Sequence, residues 1–156
     1  MHRTINRNDD DQFWSSSGSD TPESNEWLTY KIPVRENDLG PNQRFVNGHA
    51  IIQKFVMTVF DPVNFNCLDQ KYAPKEVQIE VGNSPDKFDY KSKIFPVDQD
   101  APGEQVFDIS PDLCCGRYIK VKLIGKPHLL PQDQKYYIGL SYFGVRGIPL
   151  EEIRMP

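Results

Sequence analysis

Alternating apolar and polar positions predict two strands in the central and later parts of the chain. In residues 76–81 and 118–124, every second position is Val, Ile or Leu, and most positions between them are charged. Successive side chains of a strand point to opposite faces, so each segment is predicted to bury one face and wet the other. The predicted core positions are Val77, Ile79, Val81, Ile119, Val121 and Leu123.

Denser apolar runs predict further strands. Residues 50–60 are almost continuously apolar, as expected of a strand covered on both faces. Residues 27–34 and 136–145 are rich in aromatic and β-branched side chains, and shorter candidates lie at 90–95 and 106–109. Turns containing Pro or Gly separate these segments, and only residues 111–115 are predicted to form a short helical turn.

This pattern predicts an all-β domain with little helix. The chain has 13 prolines and 10 glycines in 156 residues, and no window shows sustained helical periodicity. About seven short strands separated by turns are typical of a β-sandwich or jelly roll. The length fits a single domain over residues 1–156, with flexible ends expected at 1–7 and 151–156.

Composition excludes some partners. The 18 basic and 22 acidic residues give a formal net charge of −4, which argues against binding a nucleic-acid backbone. No apolar run is long enough to span a membrane, and the first residues do not resemble a secretory leader, so no membrane partner is expected. The odd count and spacing of Cys67, Cys114 and Cys115 do not indicate a disulfide framework, so packing cysteines are expected, with a redox or vicinal-disulfide role as the alternative. Reduced cysteines and a cytoplasmic or nuclear location are the corresponding expectations.

Catalytic chemistry has little support in the sequence. His2, His49 and His128 are far apart, and no nucleophile elbow, phosphate loop or zinc motif is present. The prediction is a protein without enzymatic activity or cofactor, although a pair of carboxylates brought together by folding remains an alternative. Asp9, Asp10 and Asp11 could hold a structural calcium ion, but a solvated loop is favoured because the ordered ligand spacing is missing.

Ligand-binding candidates lie in two polar regions. The first holds Gln12, Trp14, Ser15, Ser16 and Ser17, where an aromatic ring beside small hydroxyls is typical of a contact surface. An equally supported interpretation is that Trp14 plugs the end of the sandwich while the serines cap a turn.

The second region is the polar stretch 35–48 together with the residue that follows it. Its candidates are Arg44, Asn47 and His49. A solvated connection is the favoured alternative there. Arg117 could present its guanidinium to a carboxylate or carbonyl group, against the more common role of an ion pair at a strand edge.

Four segments carry a family resemblance. They are DDQFWSSSGSDTPESNEWLTYKI, VQIEVGNSPDKF, GRYIKVKLIGKP and KYYIGLSYFGVRGIPL. In this order they resemble a discoidin-like (galactose-binding-like) domain, and they are similar to the C-terminal region of plant-type F-box proteins. The resemblance covers about residues 8–150 and is most specific over 115–150. No F-box segment is found, so a part of a longer protein and a stand-alone relative both stay open.

The resemblance implies a jelly-roll β-sandwich of about eight strands. In an F-box setting it also implies a protein-recognition module that captures substrates for ubiquitination. The alternative hypothesis is a carbohydrate-binding, lectin-like module that uses the Trp14 loop, and an uncharacterised enzyme is the second alternative. The expected partner is accordingly a protein or a glycan.

Overall fold

The computed structural model describes residues 14–32, 45–59, 72–99, 103–109, 112 and 114–152, with the side chains of 45–49 and 149–152 excepted. This part of the chain forms strands and no helix. The strands are β1 (Trp14–Ser15), β2 (Glu26–Lys31), β3 (Phe45–Val59), β4 (Glu76–Gly82), β5 (Tyr90–Lys91), β6 (Phe95–Pro96), β7 (Glu104–Asp108), β8 (Cys114–Gly116), β9 (Tyr118–Ile124), β10 (Leu129–Leu130), β11 (Lys135–Tyr136) and β12 (Gly139–Glu152).

Two antiparallel sheets form the sandwich. One has the order β1-β12-β3-β7, with β8 also paired to β3, and the other has the order β2-β9-β4-β5, with β6 also paired to β4. β10 and β11 form a separate small hairpin. In the second sheet, β9 lies between β2 and β4, pairing with β2 from Tyr118 to Leu123 and with β4 along its whole length. This regular three-stranded region has one face toward the core and one toward solvent.

The core lies between the sheets. All six core positions predicted from alternation are at most 1% exposed, which confirms that part of the prediction. Phe55 on β3 stacks on Phe107 with the ring centroids 4.7 Å apart and meets Phe95 edge-on at 5.5 Å. Burial of such large apolar side chains is the main stabilising contribution to the sandwich.

Several strand boundaries differ from the prediction. The segment 90–95 contributes to two short strands, β5 and β6, instead of one. Between them, the N–H of Ile79 donates to Ser92 Oγ at 3.1 Å and not to a backbone carbonyl, which interrupts the strand pairing. The predicted strand 136–145 is broken at Tyr137 and Ile138 and continues as β12. The predicted helical turn at 111–115 is wrong at its end, since Cys114 and Cys115 pair with β3 as part of β8.

The sandwich has two ends that carry different loops. The Lys126 end contains the start of β2, the end of β9, Lys126 and the start of β12. Ser16 lies at this end as well, where its N–H donates to the carbonyl of Ile138, just before β12. The Arg117 end contains the end of β2, the end of β4 and Arg117, whose N–H donates to the Gly82 carbonyl at 2.9 Å. Within the described residues, no helix is long and apolar enough to cross a membrane.

Candidate functional site

The predicted Trp14–Ser17 group lies at the Lys126 end. Trp14 pairs with Leu140 in β12 and is half-buried against the core, so much of its ring is used in packing. Ser16 is buried, and its Oγ accepts the N–H of Ile138 at 2.9 Å. Ser15 Oγ donates to the Ser16 carbonyl at 3.2 Å. The pairing of Trp14 with Leu140 and the contact of Ser16 with Ile138 hold β1 against the start of β12.

Lys126 organises the loop that follows. Its side chain is fully buried, and Nζ donates to the Ser17 carbonyl at 3.0 Å, to Ser19 Oγ at 2.7 Å and to Glu26 Oε1 at 2.6 Å. All three hydrogen atoms of the ammonium therefore have an oxygen partner, as a buried charge requires. The arrangement joins the loop before β2 to the segment after β9.

The second predicted group lies elsewhere. Arg117 is at the Arg117 end, where its carbonyl also accepts the N–H of Ile32 at 2.8 Å, while its buried Nε has no hydrogen-bond partner among the described residues. Asn47 and His49 belong to β3 just before Ala50, which pairs with Gly116, so their backbone lies toward this same end. The side chains of Asn47 and His49, together with Gln12 and Arg44, lie outside the described residues.

The structure therefore separates the two predicted groups. Trp14 and Ser15–Ser17 are at one end of the sandwich, and Arg117 is at the other. No single site can contain both. The calcium candidates Asp9, Asp10 and Asp11 lie outside the described residues. Within the described ranges, no group of three His, Cys, Asp or Glu side chains could hold a metal ion.

The two described cysteines differ in environment. Cys114 is buried and Cys115 is exposed, and both are free thiols. Burial raises the pKa of Cys114 to about 12, with smaller contributions from neighbouring Cys115 and Asp112. A thiol that stays protonated at neutral pH is a poor nucleophile, so Cys114 acts as a packing residue.

A large exposed aromatic belongs to neither predicted group. Trp27 on β2 is 61% exposed, although Leu28 and Tyr30 on the same strand pack against the core. The outward side chains of β2, β9, β4 and β5 form a surface that we call the Trp27 face. Its members are Trp27, Thr29, Lys31, Glu76, Glu80, Lys91, Tyr118, Lys120, Lys122 and Ile124, while Gln78, at an outward position of β4, is buried.

Lys120 contacts the Trp27 ring of this surface and also the ring of Phe88, which follows β4. Its Nζ lies 5.5 Å from the centroid of the Trp27 ring and 5.9 Å from that of Phe88, and it is 3.9 Å from Glu80 Oε2. A cation at this distance from an indole is attracted to the ring. The contact restrains Trp27 while leaving most of its surface open to solvent.

The Trp27 face was missed in the sequence although its signal was present. Lys120 and Lys122 alternate with the predicted core positions of 118–124, and Trp27 alternates with Leu28 and Tyr30 in the same manner. The alternation of β2 thus places Trp27 outward as well. Only the pairing of Trp27 with Lys122, which depends on strands far apart in sequence, required the structure.

The two antiparallel sheets form a β-sandwich with a jelly-roll, galactose-binding-like fold. A carbohydrate-binding module, CBM32-3 from a family 31 glycoside hydrolase of Clostridium perfringens, superimposes with a TM-score of 0.61 at 9% identity. The match covers 90% of this chain and 78% of that one. The predicted discoidin-like, jelly-roll fold is thereby confirmed.

One curated relative matches in sequence. An F-box protein of Arabidopsis thaliana is 28% identical over 148 residues, which cover 86% of this chain and 38% of that protein. This chain thus spans well under half the length of that relative. No protein-family model matches the chain.

Proposed function

We propose that the chain is a non-catalytic recognition module that binds carbohydrate through the Trp27 face. The observation that carries this proposal is the 61% exposure of Trp27 on a regular antiparallel sheet. An indole offers a flat, rigid apolar surface on which the C–H face of a sugar ring packs, at little cost in conformational entropy. Thr29 and Lys122, beside it on the same face, are hydrogen-bond donors for sugar hydroxyls.

Carbohydrate binding is assigned here to Trp27 and not to Trp14. The sequence suggested Trp14, but Trp14 is half-buried against the core and its neighbour Ser16 is engaged with Ile138. Trp27 keeps far more of its side chain available. The likeness to a carbohydrate-binding module supports the architecture, and the exposed tryptophan supports the ligand class.

A glycan microarray tests the proposal with four proteins: the wild type, Trp27→Ala, Trp14→Phe and Val106→Ala. Val106 is a matched surface control, since it is 49% exposed on a strand of the other sheet. Specific glycan signals are expected for the wild type, Val106→Ala and Trp14→Phe, and their loss is expected for Trp27→Ala. Loss only in Trp14→Phe would move the site to the Trp14 loop, and an array without wild-type signals would contradict the proposal.

A second candidate function is the capture of a protein, and the F-box relative of Arabidopsis thaliana favours it. F-box proteins present substrates for ubiquitination, and the matched region would then be the substrate-binding part. This candidate replaces the first if the array is blank and a purified protein ligand binds the wild type but not a surface variant such as Trp27→Ala.

A further inference from the structure

The Trp27 face is positively charged on a negatively charged chain. It carries four lysines, Lys31, Lys91, Lys120 and Lys122, against two glutamates, Glu76 and Glu80. The whole chain has a formal net charge of −4, so this surface has the opposite sign to the protein as a whole. Such a local excess attracts anionic ligands and selects against cationic ones.

Most of these lysines are not neutralised. Lys120 lies 3.9 Å from Glu80, but Lys31, Lys91 and Lys122 form no ion pair with any residue that the structure describes. Lys122 is the direct cross-strand partner of Trp27, and directly opposed Cβ atoms in antiparallel strands lie about 5 Å apart. A ligand that stacks on the indole therefore comes within reach of a free ammonium group.

The apolar content of the face favours a sugar over a protein surface. The other large exposed apolar side chains of the described residues lie elsewhere: Val106 and Ile148 on the other sheet, and Ile94 between β5 and β6. Among the described residues, Trp27 is the single large exposed apolar side chain on the strands of the Trp27 face. A stable protein interface has an apolar core contributed by several residues, whereas one sugar ring needs only one indole.

From these observations we propose that the Trp27 face binds an acidic glycan. One sugar ring of the glycan stacks on Trp27, and the carboxylate or sulfate groups of the glycan are bound by Lys122, Lys120 and Lys31. This inference rests on the proposed carbohydrate-binding function and specifies its substrate class. Carboxylates and sulfates share the chemistry that lysine recognises, a compact anion that accepts hydrogen bonds from an ammonium.

The test measures equilibrium binding to two matched pairs of polysaccharides. Polygalacturonate is compared with its fully methyl-esterified form, which is neutral, and dextran sulfate is compared with dextran. Tight binding to at least one anionic member is expected, about tenfold weaker for its neutral partner and weaker again at high ionic strength. The preferred pair distinguishes carboxylate from sulfate.

Variants locate the binding on the Trp27 face. Lys122→Gln with Lys31→Gln is expected to weaken anionic binding about tenfold, and Trp27→Ala at least as much. Lys87→Gln is the matched control, since Lys87 is an exposed lysine in the turn after β4 whose nearest ion pair is with Asp89. It should bind like the wild type.

The outcomes separate this inference from the proposed function. Equal binding of charged and neutral partners, still lost in Trp27→Ala, would keep carbohydrate binding and overturn the acidic class. Binding of poly-glutamate but of no polysaccharide, lost in the same variants, would identify a protein ligand and overturn both. If Lys87→Gln weakened anionic binding as much as the variants of the Trp27 face, binding would depend on the overall charge of the protein, and the assigned site would be overturned.

Discussion

Lys126 shows how a single side chain can hold together segments that are distant in sequence. Its ammonium contacts Ser17 and Ser19, more than one hundred residues earlier, and forms an ion pair with Glu26 at 2.6 Å. A buried ion pair adds little net stability over an apolar packing, but removing one partner leaves an uncompensated charge or unsatisfied acceptors. The loop before β2 should therefore depend on this lysine.

Lys126→Met is predicted to lower the free energy of unfolding by about 2 kcal/mol, below the full cost for a completely buried pair because Glu26 is 25% exposed. Equilibrium unfolding in urea measures it. The control is Lys135→Met, whose pair with Asp20 is exposed and 3.9 Å long, and its cost should stay within about 0.5 kcal/mol. Equal costs for the two variants would show that the buried ammonium has no special role.

Two buried acids predict that stability falls at high pH. Burial raises the pKa of Cys114 from 9.0 to about 12 and that of Tyr30 from 10.0 to about 12. The unfolded chain loses these protons first as pH rises, so the stabilisation is complete below pH 9 and is lost progressively toward pH 12. Urea unfolding across this range measures the slope. In Cys114→Ala with Tyr30→Phe the slope should be shallower, and an unchanged slope would contradict the assignment.

At the scale of elements, the alternating strands are the part that the sequence predicts best. β9 alternates strictly between buried and partly exposed positions, so the period of two directly identifies its core positions. In β4 the inward positions are likewise buried, but the outward residue Gln78 is buried as well, because its amide donates to the Ser92 carbonyl at 2.7 Å. β3 and β12 are harder to predict, because their pairing contains three register irregularities that shift the face on which a residue lies. The interruptions at Ser92 and Ile138 arise from side-chain hydrogen bonds that no local pattern records.

Truncation of a central core position should have a large effect. Ile79 on β4 is fully buried, and Ile79→Ala is predicted to cost about 2–4 kcal/mol of unfolding free energy. Lys122→Ala, on the outward side of neighbouring β9, should cost less than about 0.5 kcal/mol. Chemical unfolding of both proteins gives the comparison. Similar costs would mean that the inward and outward faces of this sheet are assigned incorrectly.

At the scale of the whole molecule, the fold class follows from the sequence and the site does not. Strand number, turn chemistry and alternation suffice to predict a β-sandwich. The two groups of predicted ligand-binding residues that the structure places, around Trp14 and at Arg117, lie at opposite ends of the sandwich. Their positions depend on strand pairings between segments that are far apart in sequence, which no local pattern predicts. The Trp27 face is assembled from β2, β4 and β9, whose order in the sheet differs from their order in the sequence.

An NMR titration of the protein with galacturonate oligosaccharides would locate the binding surface directly. The chain has two tryptophans, so the indole N–H signals of Trp27 and Trp14 report on the sheet face and on the Trp14 loop within one spectrum. We predict that the Trp27 indole signal and the amide signals of Thr29, Lys120 and Lys122 shift with added ligand, while the Trp14 indole signal stays in place. Shifts confined to Trp14 or to the residues around Arg117 would contradict the Trp27 face as the binding surface, as would the absence of shifts with both galacturonate oligosaccharides and sulfated dextran oligosaccharides.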